Sequence, residues 1–202
     1  MSEAAHVAAE ATRFAMLEMA SGRVYDEDDV TGALVGELNA ALRSMIGSFK
    51  WQAKILRHRR GKAAEELKYG ADLLLHVDTQ TPGRSFKKGV LIEAKKVEPD
   101  ALMSRAEHER LQGQCETMLS HTPASYIFDY AESGVRVSSA NKVSGLADRH
   151  LHSNCEWTAY RFFYEFFRCP VGDRDVTTTH IGGKRIIGDT APTVLQIEAT
   201  GE

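Results

Sequence analysis

The sequence predicts an α/β protein in which helices flank one mixed central β-sheet. Three observations carry this prediction. Apolar residues recur at helical spacing in the segment 30–46. Three strand-like segments follow between residues 48 and 97. A long helical segment over 100–121 then separates them from two further strand-like segments. Such an order favours a sheet with helices on its faces, because each element must bury its apolar side against another layer.

Two helices are predicted at the start of the chain. Residues 3–20 are rich in Ala and Met and contain few helix breakers, so this helix is expected to end near 21–22. The segment 30–46 is the second predicted helix, because its apolar residues recur every three to four positions. Asp28 or Asp29 is predicted to be its N-cap, since aspartate accepts hydrogen bonds from the first backbone N–H groups of a helix.

The strand segments come next. Residues 48–59 alternate between apolar and polar, and 69–79 and 88–97 contain apolar runs. A Pro-Gly pair between the last two predicts that they form an antiparallel hairpin. The elements predicted after the hairpin are, in chain order, a helix over 100–121 opened by Pro99, strands over 124–130 and 134–140, a short helix from Asn141, an aromatic helix over 156–169, and a tail of loops with a short strand or hairpin.

The length, composition and net charge of the chain restrict the class of protein. The chain has 202 residues, of which 43% are hydrophobic and 26% are charged, as is usual for a soluble globular domain. No run of apolar residues is long enough for a membrane span, and the N-terminus lacks the basic, apolar pattern of a secretory signal. Three scattered cysteines do not form a disulfide framework. We therefore expect a cytoplasmic protein. The net charge of −3 argues against polyanion binding by the whole surface, but not by a local groove.

Charged residues at the ends of two predicted strands indicate a catalytic or metal site. Glu93 and Lys95 lie on one face of their strand, because side chains alternate along a strand. If the hairpin forms, Asp72 and Glu93 reach one point in space, where two carboxylates repel unless a cation lies between them. Oxygen ligands suit Mg²⁺ or Mn²⁺, and a neighbouring lysine orients a water or stabilises charge on a phosphate. The alternative is an exposed Glu93–Lys95 ion pair on an edge strand.

These motifs carry a resemblance to a known family. With Asp72 in "YGADLLL", and Glu93 and Lys95 in "LIEAKK", the chain resembles the PD-(D/E)xK nuclease superfamily, which has the restriction-endonuclease-like fold. The resemblance implies that the two acidic residues hold a magnesium or manganese ion and that Lys95 positions the nucleophile. Ala71 stands where the proline of the family's name would be.

The resemblance covers residues from about 28 to 140. It implies a single nuclease-like domain over 1–202, in which this segment is a restriction-endonuclease-like core. A helix precedes this core, and residues from about 141 to 202 follow it as a C-terminal extension of helices and loops. The strands over 124–130 and 134–140 are similar to the two strands that complete the four-stranded core of the family.

Further site residues follow from the resemblance. Glu37 in "VGELNAAL" matches the additional acidic residue of the upstream helix and is expected to assist the metal directly or through water. Many members carry a glutamine on the helix after the motif. Both Gln112 and Gln114 fit that position, and Gln114 is taken as the catalytic candidate. Lys96 points to the opposite face from Lys95 and is assigned to nucleic-acid contact.

A run of cations without an acidic residue extends from Lys50 to Lys62. One interpretation is a phosphate-contacting patch, because lysine and arginine bind the backbone of nucleic acids. The other is a solvated strand end and turn. The residues assigned to nucleic-acid contact in this run are Lys54, Arg57, Arg59, Arg60 and Lys62.

Two further features have alternative interpretations. A zinc site is conceivable at four residues whose spacing matches no common zinc motif, namely His150, His152, Cys155 and Cys169; surface histidines and buried cysteines are the ordinary alternative. The aromatic helix over 156–169 is expected to pack on the sheet as core, with a dimer or partner interface as the alternative.

The sequence thus predicts a metal-dependent nuclease that hydrolyses phosphodiester bonds, using Mg²⁺ or Mn²⁺. DNA is favoured over RNA by the resemblance alone. The chain is short, so specificity is expected to come from a protein partner subunit or from homo-oligomerisation, for instance in a bacterial or phage defence system. The alternative is a non-catalytic nucleic-acid-binding or assembly subunit that keeps the nuclease fold.

Overall fold

The structure is a computed structural model that describes residues 1–57, 69–186 and 193–201. The helices in these ranges are α1 (Ser2–Ala20), α2 (Glu27–Ala41), α3 (Arg105–His121), α4 (Ala140–Ser144), α5 (Leu151–Asn154) and α6 (Ala159–Arg168). The strands are β1 (Met45–Ile46), β2 (Phe49–Arg57), β3 (Leu73–Thr81), β4 (Arg84–Lys96), β5 (Ser125–Ala131), β6 (Gly134–Ser139), β7 (Trp157–Thr158), β8 (His180–Ile181), β9 (Lys184–Arg185) and β10 (Thr193–Thr200).

The main sheet has eight strands in the order β1-β2-β10-β3-β4-β5-β6-β7. Two neighbouring pairs, β10 with β3 and β4 with β5, are parallel, and the other neighbours are antiparallel. The predicted α/β fold with a mixed central sheet flanked by helices is therefore confirmed. The predicted β3–β4 hairpin also forms, and it turns at Pro82-Gly83.

The C-terminal segment differs from the prediction. A short hairpin, β8–β9, does occur in it. Its last strand, however, lies near the middle of the main sheet, because Thr193–Thr200 pairs with β3 on one side and with β2 on the other. The last strand is therefore part of the central sheet and does not belong to an extension outside the core.

Helices cover both faces of the sheet. On one face, α1, α2 and α6 enclose an apolar cluster that includes Leu34, Trp51 and Ile92. The buried side of α1 consists largely of alanines, which allow close approach to its neighbours. On the other face, α3 and α4 cover a second cluster around Leu91 and Leu111. Asp72, directly before β3, and Glu93 and Lys95, near the end of β4, share this second face with Leu91.

The aromatic helix α6 is core, as predicted. Four of its phenylalanines, Phe162, Phe163, Phe166 and Phe167, are fully buried against the sheet. They pack edge to face or stacked on one another, which adds about 0.5–1.5 kcal/mol per pair to their burial. Tyr160 is the more exposed ring of this helix, at 38%.

Two helix boundaries differ from the prediction. Helix α2 begins at Glu27 with Asp26 as its N-cap, so the predicted caps Asp28 and Asp29 lie inside its first turn. Helix α3 begins five residues later than its predicted start near Asp100. The reason is a capping box: the Ser104 side chain accepts a hydrogen bond from the Glu107 backbone N–H, and the Glu107 carboxylate accepts one from the Ser104 backbone N–H.

Among the described residues, no helix has the length and apolarity that a membrane span requires.

Candidate metal centre

The hairpin of β3 and β4 brings the predicted motif residues together. Leu73 pairs with Ile92, so Asp72 lies directly before the first residue of β3 and opposite the end of the apolar run of β4. The Asp72 backbone N–H donates a hydrogen bond to the Ile92 carbonyl over 3.0 Å. Strand alternation then places the Asp72 and Glu93 side chains on the same side of the sheet, as the sequence predicted.

A glycine makes the turn before Asp72. Gly70 has a φ of +65°, which residues with a Cβ rarely adopt. A Cβ at this position would lie 2.5 Å from the Gln114 backbone carbonyl oxygen. Helix α3 therefore packs directly against the turn that presents Asp72, and only glycine fits between them.

Three carboxylates meet at this point. Glu27, Asp72 and Glu93 each offer an oxygen, and the three oxygens lie within 4.8 Å of one another. Asp72 is oriented by its Oδ2 atom, which accepts a hydrogen bond from the Ala94 backbone N–H over 2.9 Å. The Glu93 side chain is fully buried, and its Oε2 atom has no hydrogen-bond partner among the described residues. A buried carboxylate oxygen without a partner is costly, so a ligand for it is expected.

The prediction that Glu37 joins this site is wrong. Helix α2 contributes its first residue, Glu27, to the carboxylate cluster, and Glu37 is not part of that cluster. The two residues are ten positions apart, which is about 15 Å along a helix axis. Only the N-terminal end of α2 approaches the end of β4, where the Glu27 Oε2 atom accepts a hydrogen bond from the Lys96 backbone N–H over 3.1 Å.

Lys95 lies inside the carboxylate cluster. Its Nζ atom donates hydrogen bonds to Glu93 Oε1, to Glu27 Oε1 over 3.1 Å and to the Ala94 carbonyl over 2.8 Å. Burial disfavours the charged ammonium, but the charges of Glu93, Glu27 and Asp72 outweigh this effect and raise the pKa of Lys95. The lysine therefore stays protonated at neutral pH.

The carboxylates repel one another. Burial and the charge of Asp72 raise the pKa of Glu93 well above its ordinary value, although Lys95 acts in the opposite direction. Burial also raises the pKa of Glu27, with Lys95 again opposing. When all groups are ionised, three carboxylates and one ammonium leave an excess of two negative charges. A divalent cation has the charge that balances this excess.

A pocket of about 360 Å³ opens beside the carboxylate cluster, and we call it the site pocket. Glu27 and Lys95 form its inner end. The loop after β4 supplies an apolar wall, which consists of Val97, Ala101, Leu102 and Met103. Charged side chains form the rest of its lining, namely Lys96, Glu98, Glu107 and Arg110.

The two candidate glutamines have different surroundings. The Gln112 side chain donates hydrogen bonds to the backbone carbonyls of Ser144 and Leu146, over 3.2 and 2.8 Å, so it ties α3 to the segment after α4. Gln114 is buried and belongs to the turn of α3 that packs on Gly70. Of the two, Gln114 is the one next to the turn that carries Asp72, and its catalytic role stays a prediction.

The basic run lies only partly within the described residues. Arg59, Arg60 and Lys62 fall in 58–68, outside those residues. Lys54 is exposed on β2. Arg57 ends β2, and its backbone is level with Leu74, because both residues pair with Val194 of β10. The C-terminal end of β2 and Asp72 therefore lie at the same end of the strands of the sheet.

Lys96 is exposed, and strand alternation directs its side chain to the opposite face of β4 from Lys95. Its Nζ atom donates a hydrogen bond to the Tyr25 carbonyl over 3.1 Å. Lys96 still lines the site pocket, so its assignment to nucleic-acid contact stays a prediction.

The proposed zinc ligands do not converge. Within the ranges that the structure describes, the carboxylate cluster is the one group of three or more side chains with metal-ligand geometry. His150 pairs with Asp148 over 2.8 Å, while Cys155 is buried and Cys169 is exposed. The zinc interpretation is therefore wrong for the described residues.

The contact between His152 and Asp129 was not predicted from the sequence. The His152 Nδ1 atom lies 2.7 Å from the Asp129 Oδ2 atom, and Asp129 is fully buried. Asp129 is the partner of Lys95 across the parallel pair β4–β5, and its Oδ1 atom accepts a hydrogen bond from the Val97 backbone N–H over 3.2 Å. The pair thus fixes the chain where it leaves β4. An aspartate inside an apolar strand was the signal that could have drawn attention to it.

Comparison of the chain with protein-family models, with curated proteins and with solved structures finds no match.

Proposed function

We propose that the protein is a metal-dependent nuclease that hydrolyses phosphodiester bonds in nucleic acid with Mg²⁺ or Mn²⁺. The observation that carries the proposal is the cluster of Glu27, Asp72 and Glu93, whose carboxylate oxygens lie within 4.8 Å of one another beside Lys95. The resemblance to the PD-(D/E)xK superfamily rests on the same hairpin and adds DNA as the favoured substrate.

The donor atoms fit a hard divalent cation. Carboxylate oxygens are the ligands that Mg²⁺ and Mn²⁺ prefer in proteins. The Glu93 Oε2 atom is buried without a partner among the described residues, and the cluster carries excess negative charge when its carboxylates are ionised. Asp72 and Glu93 would hold the ion. Glu27 would be the additional acidic residue that assists the metal, the role predicted for Glu37. When bound, such an ion stabilises charge on the phosphate and lowers the pKa of a water molecule.

The protein's own groups would position the reactants. Hydrolysis forms a bond from a water oxygen to phosphorus, breaks the bond from phosphorus to the leaving oxygen, and passes a proton to that oxygen. Lys95 is protonated and lines the site pocket, so it is placed to donate a hydrogen bond to the attacking water or to a phosphate oxygen. Asp72 is held in one orientation by Ala94, which reduces the reorganisation that ligand binding requires.

Two glutamates on the same helix provide a matched test. Glu27→Gln removes a charge from the cluster, whereas Glu37→Gln removes the same charge about 15 Å further along α2. We expect Glu27→Gln to weaken Mn²⁺ binding by at least about tenfold and to abolish cleavage of plasmid, linear or single-stranded DNA. Glu37→Gln should behave as wild type. Calorimetric Mn²⁺ titration and cleavage with Mg²⁺ or EDTA measure both effects.

Lys95→Ala separates chemistry from metal binding. This variant leaves all three carboxylates in place and removes a neighbouring positive charge, so it should lose cleavage but bind Mn²⁺ at least as tightly as wild type. Full cleavage by Lys95→Ala or Asp72→Asn would refute the proposed roles, as would cleavage that persists in EDTA.

A second candidate function is that of a non-catalytic nucleic-acid-binding subunit. It is favoured by a separate groove of about 680 Å³ along β1 and β2, whose lining includes the cations Arg43, Lys50 and Lys54. This function predicts DNA binding without cleavage under any metal, and unchanged binding in Asp72→Asn. Reversing Lys50 and Lys54 should then weaken binding for all sequences and reduce its salt dependence.

A further inference from the structure

We infer that the site pocket holds one unpaired nucleotide of the substrate, next to the phosphate that is cleaved, so that the substrate is single-stranded or locally opened nucleic acid. This inference rests on the proposed nuclease function. It is carried by the position, size and lining of the site pocket and by the hydrogen bonds that hold its wall.

The site pocket adjoins the carboxylate cluster. The site pocket and the carboxylate cluster share Glu27, and Lys95 lies between them. A nucleotide whose phosphate approached the cluster would therefore have its sugar and base in or directly above the site pocket. The positive charge of Lys95, which bonds Glu27 and Glu93, complements the phosphate and offsets part of the surrounding carboxylate charge.

Size limits what can enter. The volume of about 360 Å³ is near the lower end of the range for pockets that hold one small ligand. The pocket is open to solvent on one side, and Leu102 in its wall is 50% exposed. A base within a duplex presents only its edge in a groove, because its faces are stacked on neighbouring bases. A base can lay a face against the pocket wall only when it is unpaired or has been turned out of the stack.

The lining suits a base. Ala101, Leu102 and Met103 form an apolar wall, and Leu102 is 50% exposed although it is a large apolar residue. A flat base would cover this exposed surface, which is favourable because apolar area leaves water. On the rim, Glu98 and Glu107 offer carboxylate oxygens that accept hydrogen bonds from the N–H groups of a base. In a duplex, only the second N–H of each exocyclic amine stays free in a groove, so an unpaired base offers these acceptors more donors.

Hydrogen bonds hold the wall to neighbouring parts of the fold. The Val97 backbone N–H is held by Asp129, and the Ala101 backbone N–H donates to the Glu98 carbonyl over 2.9 Å. Met103 exchanges hydrogen bonds with Arg149, through the Met103 backbone N–H over 3.1 Å and through the Arg149 side chain over 3.0 Å. A preformed wall costs little ordering on binding, as expected of a recognition surface.

The test uses the full-length protein and Ca²⁺ in place of Mg²⁺, so that DNA binds without expected cleavage. The probes are a single-stranded oligonucleotide that carries the fluorescent base 2-aminopurine and the same strand in a fully paired duplex. Leu102→Ser removes the exposed apolar side chain without adding charge. The control is Leu17→Ser on α1, which removes a leucine of similar exposure, 45%, outside the site pocket.

We expect the single strand to bind more tightly than the duplex, and Leu102→Ser to weaken single-strand binding by about tenfold. Leu17→Ser should bind as wild type, and the Mn²⁺ affinity of Leu102→Ser should be unchanged. Equal affinity for both probes would overturn the inference, as would an unaffected Leu102→Ser or no binding to either probe. If Leu102→Ser weakens binding but wild type never cleaves DNA, the nuclease proposal fails while the nucleotide pocket stands. If duplex is cleaved as fast as single strand and Leu102→Ser is neutral, the pocket assignment fails while the nuclease stands.

Discussion

His76 should make the fold sensitive to acid. This residue lies on β3, four residues after Asp72, and is 4% exposed. Neither of its ring nitrogens has a hydrogen-bond partner among the described residues. Burial lowers the pKa of His76 from 6.5 to about 4, because the charged imidazolium would lose its hydration; the nearby Asp78 opposes this shift, and Lys87 adds to it.

The sign of the effect follows from proton binding. In the unfolded chain, His76 takes up a proton near its ordinary pKa, whereas the folded protein does so only near pH 4. The unfolded state therefore binds more protons between these values, and stability is lost as the pH falls through this window. For a shift from 6.5 to about 4, the loss is about 2 kcal/mol at pH 5, and close to zero above about pH 7.5.

The substitution His76→Leu removes the titrating group and keeps an apolar side chain at a buried position. Urea unfolding of both proteins at about pH 7.5 and about pH 5 gives the free energies of unfolding. The difference between variant and wild type cancels the titration of other groups, such as Glu93, whose raised pKa acts in the opposite direction. When the pH is lowered from about 7.5 to about 5, the free energy of unfolding of His76→Leu should rise by about 2 kcal/mol relative to that of wild type. An equal difference at both pH values would show that His76 is hydrated or paired in the native protein.

Three further substitutions test how the fold positions the site. Ser104→Ala removes the capping box of α3 and should lower the free energy of unfolding by about 1 kcal/mol in urea titration; no loss would show that another group caps the helix. Gly70→Ala should cost more than about 1 kcal/mol and weaken Mn²⁺ binding in calorimetry, because its Cβ would meet α3 at the turn before Asp72; wild-type metal affinity would contradict this. Phe162→Ala should cost about 3–5 kcal/mol in urea unfolding because this ring is fully buried, and a loss below about 1 kcal/mol would place it at a surface.

Local sequence patterns determined the part of the site that lies on the hairpin. A Pro-Gly turn and two apolar runs fix the antiparallel register, and strand alternation then sets the faces. Asp72, Glu93 and Lys95 could therefore be placed together from the sequence, since a slip of one residue would have put Asp72 and Glu93 on opposite faces of the sheet. The core position of α6 was predictable for a similar reason, because its phenylalanines recur at helical spacing.

Helix packing decided which acidic residue completes the site. Glu27 and Glu37 are both acidic residues on α2, and the sequence pattern does not say which end of the helix meets β4. The packing of α2 on the sheet, which includes a 3.0 Å hydrogen bond between Thr31 and Tyr130, brings Glu27 to Lys95. The choice depends on contacts between residues far apart in the chain, and local periodicity carries no information about them.

Long-range pairing likewise decided the place of β10 and the surroundings of Lys95. The strand signal of Thr193–Thr200 is local, but its position between β2 and β3 depends on pairing with residues more than one hundred positions earlier. The contact of His152 with Asp129 arises in the same way, because α5 folds back beside β5. The sequence by itself determined the hairpin that carries Asp72, Glu93 and Lys95, since hydrogen-bond register and side-chain alternation are local. The tertiary structure alone decided the third carboxylate and the site pocket, because both form where separate elements meet.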